Sequence, residues 1–165
     1  MSPALPMQLL RARGAVMQRF QPFLRKQGLT DQQGRILRVL AEAGELEMSE
    51  LAARTCIHPA SLSRIVPRLH GKGIVRRAKI DADARRVLVS ITARGRAVVE
   101  PVIRQSERIY AELAARMGPG RWRGLHRCLD LLIAMDEAPV APRKTATRRR
   151  RAPAHPVSQD AAPPP

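Results

Sequence analysis

Apolar residues recur at helical spacing along the first quarter of the chain. Between residues 5 and 27 they stand three or four positions apart, which predicts an amphipathic helix whose apolar face Arg13 interrupts. The next stretch, "GLTDQQGRILRVLAEAG", predicts a second helix. Thr30 and Gln33 have the spacing of a capping box at its start, and Gly44 is expected to stop it.

Two shorter helices follow, separated by a tight turn. The segment "LEMSELAARTC" opens with a short extended piece, after which Ser49 is the expected N-cap of a third helix. A turn at Ile57 and His58 leads into a fourth helix within "HPASLSRIVPRLHGKG", and the pair predicts a helix-turn-helix. Pro67 removes a backbone donor in the third turn of that helix. We interpret Pro67 as a bend behind the amino-terminal half of the helix, with a tolerated kink as the alternative.

The hydrophobic pattern then changes to a period of two. Ile74 and Val75 begin a predicted strand, and "IDADAR" is a polar turn. The alternation of Val87, Val89 and Ile91 predicts a returning strand. A hairpin placed directly after a helix-turn-helix is a wing.

A long helix and a shorter one end the patterned part of the chain. Thr92 is the expected cap of a helix that reaches Met117, about 26 residues or roughly 39 Å long. Gly118 and Pro119 break it, and a last helix carries Trp122 and three leucines on one face. A winged domain of about 60 residues cannot cover so long a helix, so we expect a second copy of the chain to bury its apolar face.

These elements predict a mainly α fold with a small β-hairpin wing, a winged helix-turn-helix with long terminal dimerisation helices. The expected domain spans residues 1–137, with a DNA-binding lobe at about 30–92 and dimerisation helices at about 5–27 and 92–135. Residues 138–165 are rich in Ala, Pro and Arg without apolar periodicity, so we expect a disordered basic tail.

The net charge of the chain indicates the kind of partner it binds. The chain has 165 residues with 30 Lys and Arg against 14 Asp and Glu, a formal net charge of +16. From Ala138 onward six basic residues stand against one acidic residue, which is +5 and leaves +11 to residues 1–137. Such an excess favours a polyanion, either nucleic acid or an anionic membrane surface.

The remaining composition indicates the compartment. No run approaches the roughly 18 apolar residues of a membrane span, and no signal-peptide run stands at the start. Cys56 and Cys128 make no disulfide framework. We therefore expect a reduced cytoplasmic protein with no membrane partner.

The amino-terminal half of the fourth helix is the expected reading edge in the major groove of duplex DNA. Ser61 and Ser63 have hydroxyl groups that can donate to bases or phosphates. Arg64 can reach a guanine edge or a phosphate, and Arg68 suits the DNA backbone. The alternative is that the two serines are merely exposed helix surface.

Basic residues also line the predicted wing. Arg76, Arg77 and Arg86 would favour phosphates. Asp83 and Arg85 flank the hairpin tip, where Arg85 is expected to enter a minor groove with its rotamer fixed by Asp83. The alternative is an ordinary surface hairpin with Arg85 in solvent.

Three segments in this order resemble the MarR family of winged helix-turn-helix regulators: "LTDQQGRILRVL", "MSELAARTCIHPASLSRIVPRLHGKGIVRR" and "DADARRVLVSITARG". The resemblance covers roughly residues 5–135. One group within the family, the regulators of homoprotocatechuate degradation operons, is similar also in "LLRARGAVMQRFQPFLRKQGLTDQQ" and "TCIHPASL". The resemblance implies homodimers that bind operator palindromes, usually as repressors, and that aromatic acids or phenols release.

By the same resemblance, the ligand site lies between the dimerisation helices and the DNA-binding lobe. Arg13 is expected to be buried and to need an anionic partner, either an aromatic carboxylate or a carboxylate of the protein or of a second subunit. Further candidates for ligand contact are Gln18, Cys56 and His58. Similar sequences carry tryptophan or another large apolar residue where this chain has Gly34, which implies a larger cavity or a different effector.

Other function classes remain open at this point. The main alternative is a sequence-nonspecific binder of nucleic acid or membrane surfaces, driven by charge. A second is an oxidant sensor at Cys56, although the end of a helix disfavours a thiolate. Cys56 and His58 fall short of the four ligands of a structural zinc site. No Ser/His/Asp set, carboxylate pair or phosphate loop is visible, so neither a cofactor nor an enzyme activity is expected.

Overall fold

The computed structural model describes residues 4–79 and 86–136. The elements are α1 (Leu5–Lys26), α2 (Asp31–Ala43), β1 (Glu45–Glu47), α3 (Met48–Thr55), α4 (Pro59–Gly71), β2 (Val75–Lys79), β3 (Val87–Ile91), α5 (Ala93–Met117) and α6 (Pro119–Asp136). The chain forms two compact units that divide after Gly124. The predicted wing tip, with Asp83 and Arg85, and the predicted basic tail lie outside the described residues.

Local hydrogen bonding sets several of the helix ends, as predicted. Thr30 and Gln33 form the expected capping box, because Thr30 Oγ1 accepts from the Gln33 N–H and Gln33 Oε1 accepts from the Thr30 N–H. Thr92 caps α5 in the same way by accepting from the Gly95 N–H at 3.0 Å. Gly44 and Gly118 follow the ends of α2 and α5 with φ of 82° and 84°, which a side chain would resist.

The predicted N-cap of α3 is wrong by two residues. Glu47 holds the cap position, with no side-chain cap, and Ser49 lies inside the first turn. The reason is the sheet: the short extended piece is a true strand, β1, which pairs with β3 through Leu46 opposite Val89 and ends at Glu47. The chain turns straight from that strand into the helix.

The small sheet has three antiparallel strands in the order β1-β3-β2. The predicted hairpin is therefore confirmed as β2 and β3, with Arg77 opposite Val89, but a third strand joins its base to the start of α3. Val75 and Val89 point into the core, whereas the rest of β2 is exposed. This sheet anchors the predicted wing to the helix-turn-helix.

One contiguous core connects the helix-turn-helix to the long helices of the first unit. Its fully buried members include Leu37 of α2, Leu51 of α3, Leu62 of α4 and Val99 of α5. Gly95 permits the closest approach, since a Cβ there would lie 2.2 Å from the carbonyl oxygen of Ile74. The first turn of α5 thus packs directly against Ile74, the residue that precedes β2.

Candidate DNA-binding surface and ligand cavity

The outer face of α4 presents two exposed arginines. Arg64 and Arg68 are exposed, and neither pairs with a carboxylate within residues 4–79 and 86–136. Ser61 is half-buried. Ser63 is exposed, but its Oγ donates to the carbonyl of Pro59 at 3.0 Å, so its oxygen remains available mainly as an acceptor.

The turn between α3 and α4 has an uncommon backbone conformation. Cys56 adopts φ 50° and ψ 41°, in the left-handed region that residues with a Cβ enter at a cost. Ile57 is buried directly after it and anchors the turn in the core. His58 then acts as the N-cap of α4, because its Nδ1 accepts from the Ala60 N–H at 3.3 Å. Cys56 and His58 therefore shape the turn that orients the reading edge.

The base of the wing carries an ion pair. Arg76 and Arg77 are exposed on β2 and have no carboxylate partner among the described residues. Arg86 instead forms a bidentate pair with Glu47, at the junction of β1 and α3. The hydrogen bond from Arg86 lowers the pKa of the Glu47 carboxyl, and the same bond raises the pKa of Arg86. Arg86 thus holds the wing to the helix-turn-helix.

A cavity of about 250 Å³ opens between α1, α2 and α5. Its wall is mostly apolar, with Met17 and Phe20 from α1 and Val102 and Ile103 from α5. Its polar side comes chiefly from α2 and carries the charged residues Asp31, Arg35 and Arg38, which Arg13 of α1 joins. An apolar wall facing a few converging charges is typical of sites for small organic anions.

The charges around the cavity form a connected set. Arg13 and Asp31 make a short ion pair that links α1 to the start of α2. Arg35 lies 3.6 Å from the same carboxylate oxygen and donates through NH1 to the carbonyl of Thr55 at 2.7 Å. The Nε atom of Arg35 is buried and has no hydrogen-bond partner among the described residues.

Tyr110 and Arg38 also line the cavity and contact each other. The guanidinium of Arg38 lies over the Tyr110 ring, 5.8 Å from its centroid, and its Nε is 3.4 Å from a Glu42 oxygen. The Tyr110 ring packs at a tilt against Phe20, with 5.5 Å between centroids. Gly34 is buried in the wall, where a Cβ would lie 2.6 Å from Cδ2 of Leu24. A larger residue at Gly34 would therefore require Leu24 to move.

The candidate ligand residues from the sequence are scattered. Arg13 lines the cavity, but half of its side chain is exposed, so the expectation of a buried arginine is wrong and its partner is the protein carboxylate of Asp31. Gln18 is exposed beside a separate groove of α1, and Cys56 and His58 lie at the helix-turn-helix turn. None of these three is among the described residues that line the cavity of Arg13.

Sequence reasoning missed Arg35, Arg38 and Tyr110. A signal for the first two was present, because Asp31, Arg35 and Arg38 recur at offsets of four and three and so share one face of α2. Tyr110 gave no such signal, since it lies 72 residues beyond Arg38 and only the packing of α5 on α2 brings them together.

A helix-turn-helix, a sheet-anchored wing and long flanking helices define a winged helix-turn-helix regulator. A model of the MarR family matches residues 29–87. The chain is 35% identical over 135 residues to the homoprotocatechuate degradative operon repressor of Escherichia coli, a match that covers 82% of this chain and 91% of that relative. The chain belongs to the MarR family of transcriptional regulators, which confirms the predicted family and fold, and these relatives are named as regulators rather than enzymes.

Two solved structures of similar fold are complexes, one with a small molecule and one with DNA. NadR in complex with 4-hydroxyphenylacetate superposes with a TM-score of 0.70 at 35% identity, over 79% of this chain and 92% of that one. The Mycobacterium tuberculosis regulator MOSR in complex with DNA superposes with a TM-score of 0.69 at 30% identity, over 82% and 98%. Within the described residues, no helix of this chain is long and apolar enough to cross a membrane.

Proposed function

We propose that this protein is a homodimeric repressor that binds operator DNA in the cytoplasm and is released from it by a small aromatic carboxylate or phenol. The genes it controls would serve the breakdown of aromatic compounds. The observation that carries the proposal is the cavity between α1, α2 and α5, in which an apolar wall faces a cluster of arginines. The similarity to the homoprotocatechuate repressor and to NadR supports the same ligand class.

The dimensions and charge of the cavity suit a ligand with one aromatic ring. Its volume of about 250 Å³ is slightly below the range of roughly 300–1,000 Å³ that is usual for ligand sites. Phe20 and Val102 would contact the ring, while Arg35 and Arg38 would bind a carboxylate. Asp31 would accept a hydrogen bond from a phenolic hydroxyl.

The DNA-binding part of the proposal rests on α4 and the wing. Arg64 would read a guanine edge or a phosphate, with Ser61 and Ser63 beside it as additional contacts. The remaining basic candidates would bind the DNA backbone: Arg68, Arg76 and Arg77. Arg86 would act indirectly, because its pair with Glu47 fixes the base of the wing.

A second copy of the chain would bury the apolar side chains that remain exposed. In the first unit most of these lie near the start of α1, at residues 5–10, and in the second unit they are Leu125 and residues 131–135 of α6. Among them Leu10 is 59% exposed and Met135 is 75% exposed. Large apolar side chains clustered at the ends of helices are typical of an interface.

A DNA-binding titration tests the proposal. Full-length protein is mixed with labelled duplex from upstream of its own gene and with a scrambled duplex, at about 150 mM salt, with and without 4-hydroxyphenylacetate. A preference for the upstream duplex, weakened by the added acid, is the expected result. Equal binding to both duplexes would remove the repressor assignment, and size-exclusion chromatography with light scattering would show whether the protein is a dimer.

Charge-driven, nonspecific binding is the second candidate, because the net charge is +16. Deletion of residues 138–165 separates the two, since it removes a net charge of +5 from the predicted tail. A repressor keeps its sequence preference in the truncated form and shows a shallower salt dependence. A charge-driven binder loses most of its affinity for every duplex.

A further inference from the structure

Arg35 lies between the ligand cavity and the helix-turn-helix turn, since it lines the cavity and donates to the end of α3. Arg35 lines the cavity, and its Nη1 donates to the carbonyl of Thr55, the last residue of α3. We propose that Arg35 is the positioning residue that transmits occupancy of the cavity to the α3–α4 turn. This inference rests on the proposed function and specifies how its ligand weakens DNA binding.

The bond to Thr55 closes the end of α3. The last carbonyls of a helix lack partners within that helix, and a cation placed against them also complements the helix dipole. Arg35 supplies both at Thr55, at a distance of 2.7 Å. Thr55 itself is buried and its hydroxyl donates back to Leu51, so the carbonyl is held in a fixed place. Arg35 therefore adds a side-chain cap at Thr55 to the backbone bonds with which Cys56 and Ile57 close the end of α3.

The turn that follows this cap is poised to respond. Cys56 has a left-handed conformation that is unfavourable for a residue with a Cβ. Its N–H and that of Ile57 reach the carbonyls of Ala53 and Ala52 only at 3.3 Å. Weak local bonds and a strained residue are retained when neighbouring contacts fix them. Loosening the bond from Arg35 would release this turn and change the orientation of α4.

The guanidinium of Arg35 also has donor capacity that its contacts within the described residues leave unused. Its buried Nε–H has no partner among the described residues, and its second nitrogen, NH2, lies a long 3.6 Å from Asp31. A carboxylate binds the Nε edge of a guanidinium through two parallel charge-assisted bonds, which are stronger than a bond to a neutral carbonyl. The guanidinium is planar and rigid, so any shift of this edge toward a ligand moves the whole group and would lengthen the bond from Nη1 to Thr55.

Arg38 provides a matched control on the same helix. It lines the same cavity, but it contacts the Tyr110 ring and the side chain of Glu42. Within the described residues it makes no hydrogen bond to α3 or to the α3–α4 turn. Arg38 would therefore only bind the ligand, whereas Arg35, three positions earlier, would also transmit ligand binding to the α3–α4 turn.

The experiment compares the full-length protein with its Arg35→Lys and Arg38→Lys variants, using 4-hydroxyphenylacetate as the probe. Calorimetry gives the affinity for the probe, and fluorescence anisotropy gives operator affinity without probe and at saturating probe. For the wild type we expect saturation to weaken operator binding by about 10-fold or more, within the usual range of allosteric coupling. For Arg35→Lys we expect a saturated effect of about 3-fold or less, because one ammonium cannot hold both partners.

The control is expected to behave differently in one respect. Arg38→Lys should bind the probe more weakly, but saturating probe should weaken its operator binding as much as in the wild type. A full effect in saturated Arg35→Lys overturns the proposed role of Arg35 and leaves the proposed function standing. A wild type that prefers its operator but does not respond to the probe overturns the effector assignment and the role of Arg35 together.

Hydrogen exchange on the wild type gives a test that does not depend on a variant folding. Probe binding should speed exchange several-fold at the amides of Cys56 and Ile57, which report on the turn directly. Arg35→Lys should show little change at those amides. Unchanged or slower exchange there in the probe-bound wild type overturns the proposed role of Arg35.

Discussion

Replacing Gly95 with alanine tests how tightly the long helix is packed on the wing. Gly95 is in the first turn of α5, and an added Cβ would lie 2.2 Å from the Ile74 carbonyl oxygen and 2.8 Å from Cγ1 of Ile91. The Ile91 side chain can rotate away. The Ile74 carbonyl cannot move freely, because it accepts from both the N–H and the hydroxyl of Thr92, at 3.1 Å and 2.9 Å.

Two opposing effects decide the size of the change. Alanine favours a helix over glycine by up to about 1 kcal/mol. Against this, the Cβ of residue 95 falls more than about 1 Å short of ordinary contact with a fixed carbonyl, and overpacking of this kind costs about 1–3 kcal/mol. Moving the carbonyl would also weaken its bonds from Thr92. We therefore expect Gly95→Ala to lower the free energy of unfolding by about 2 kcal/mol.

Urea unfolding followed by circular dichroism measures this change, at one fixed protein concentration because the stability of a dimer depends on it. Gly14→Ala in α1 is the matched control, since its Cβ would meet nothing within 4 Å and it should gain up to about 1 kcal/mol. If Gly95→Ala unfolds at the same urea concentration as the wild type, or a higher one, the close packing of α5 on the wing is wrong.

Three further predictions follow from single contacts. Cys56→Gly should raise the free energy of unfolding by up to about 1 kcal/mol, since glycine tolerates φ 50°; a urea midpoint at or below that of wild type would contradict this. The pKa of Glu47 is lowered by its bond from Arg86, so the pair stabilises the fold above the ordinary carboxyl pKa and this contribution is lost as pH falls through the lowered value. Glu47→Gln should therefore show a smaller loss of stability in urea titrations through that acidic range, and a loss equal to that of wild type would argue against the pair. Arg64→Ala should weaken operator binding by about 1–3 kcal/mol and relax its sequence preference, whereas Arg77→Ala should weaken all duplexes alike; anisotropy titrations on operator and scrambled duplex distinguish the two, and identical profiles would exclude base reading by Arg64.

The caps show where the sequence was sufficient. Thr30 and Thr92 were predicted as N-caps and are confirmed, because a cap depends on hydrogen bonds to residues only three positions away. Ser49 was predicted by the same rule and is wrong. Its helix begins two residues earlier because β1, which pairs with β3 some forty residues further along, ends at Glu47.

The cavity shows where the sequence was insufficient. Arg13 was noticed because it interrupts an apolar stripe, but its exposure and its partner Asp31 depend on how α1 lies against α2. Arg35 and Tyr110 were not predicted as cavity residues, because in the sequence each is an ordinary helix position and only the packing of α2 and α5 brings both to the cavity.

By itself, the sequence determined the order and type of the helices and strands, the helix-turn-helix with its wing, the family and the basic character of the protein. These follow from periodicity, local capping and composition, which are properties of neighbouring residues. Only the tertiary structure decided the partners of the arginines: Arg35 bonds the backbone carbonyl of Thr55, and Arg86 pairs with the Glu47 carboxylate. The physical reason is that a hydrogen bond from a guanidinium forms only when donor and acceptor are positioned to within about an ångström. The relative positions of the two elements that carry them are set by the packing of the whole core between these elements.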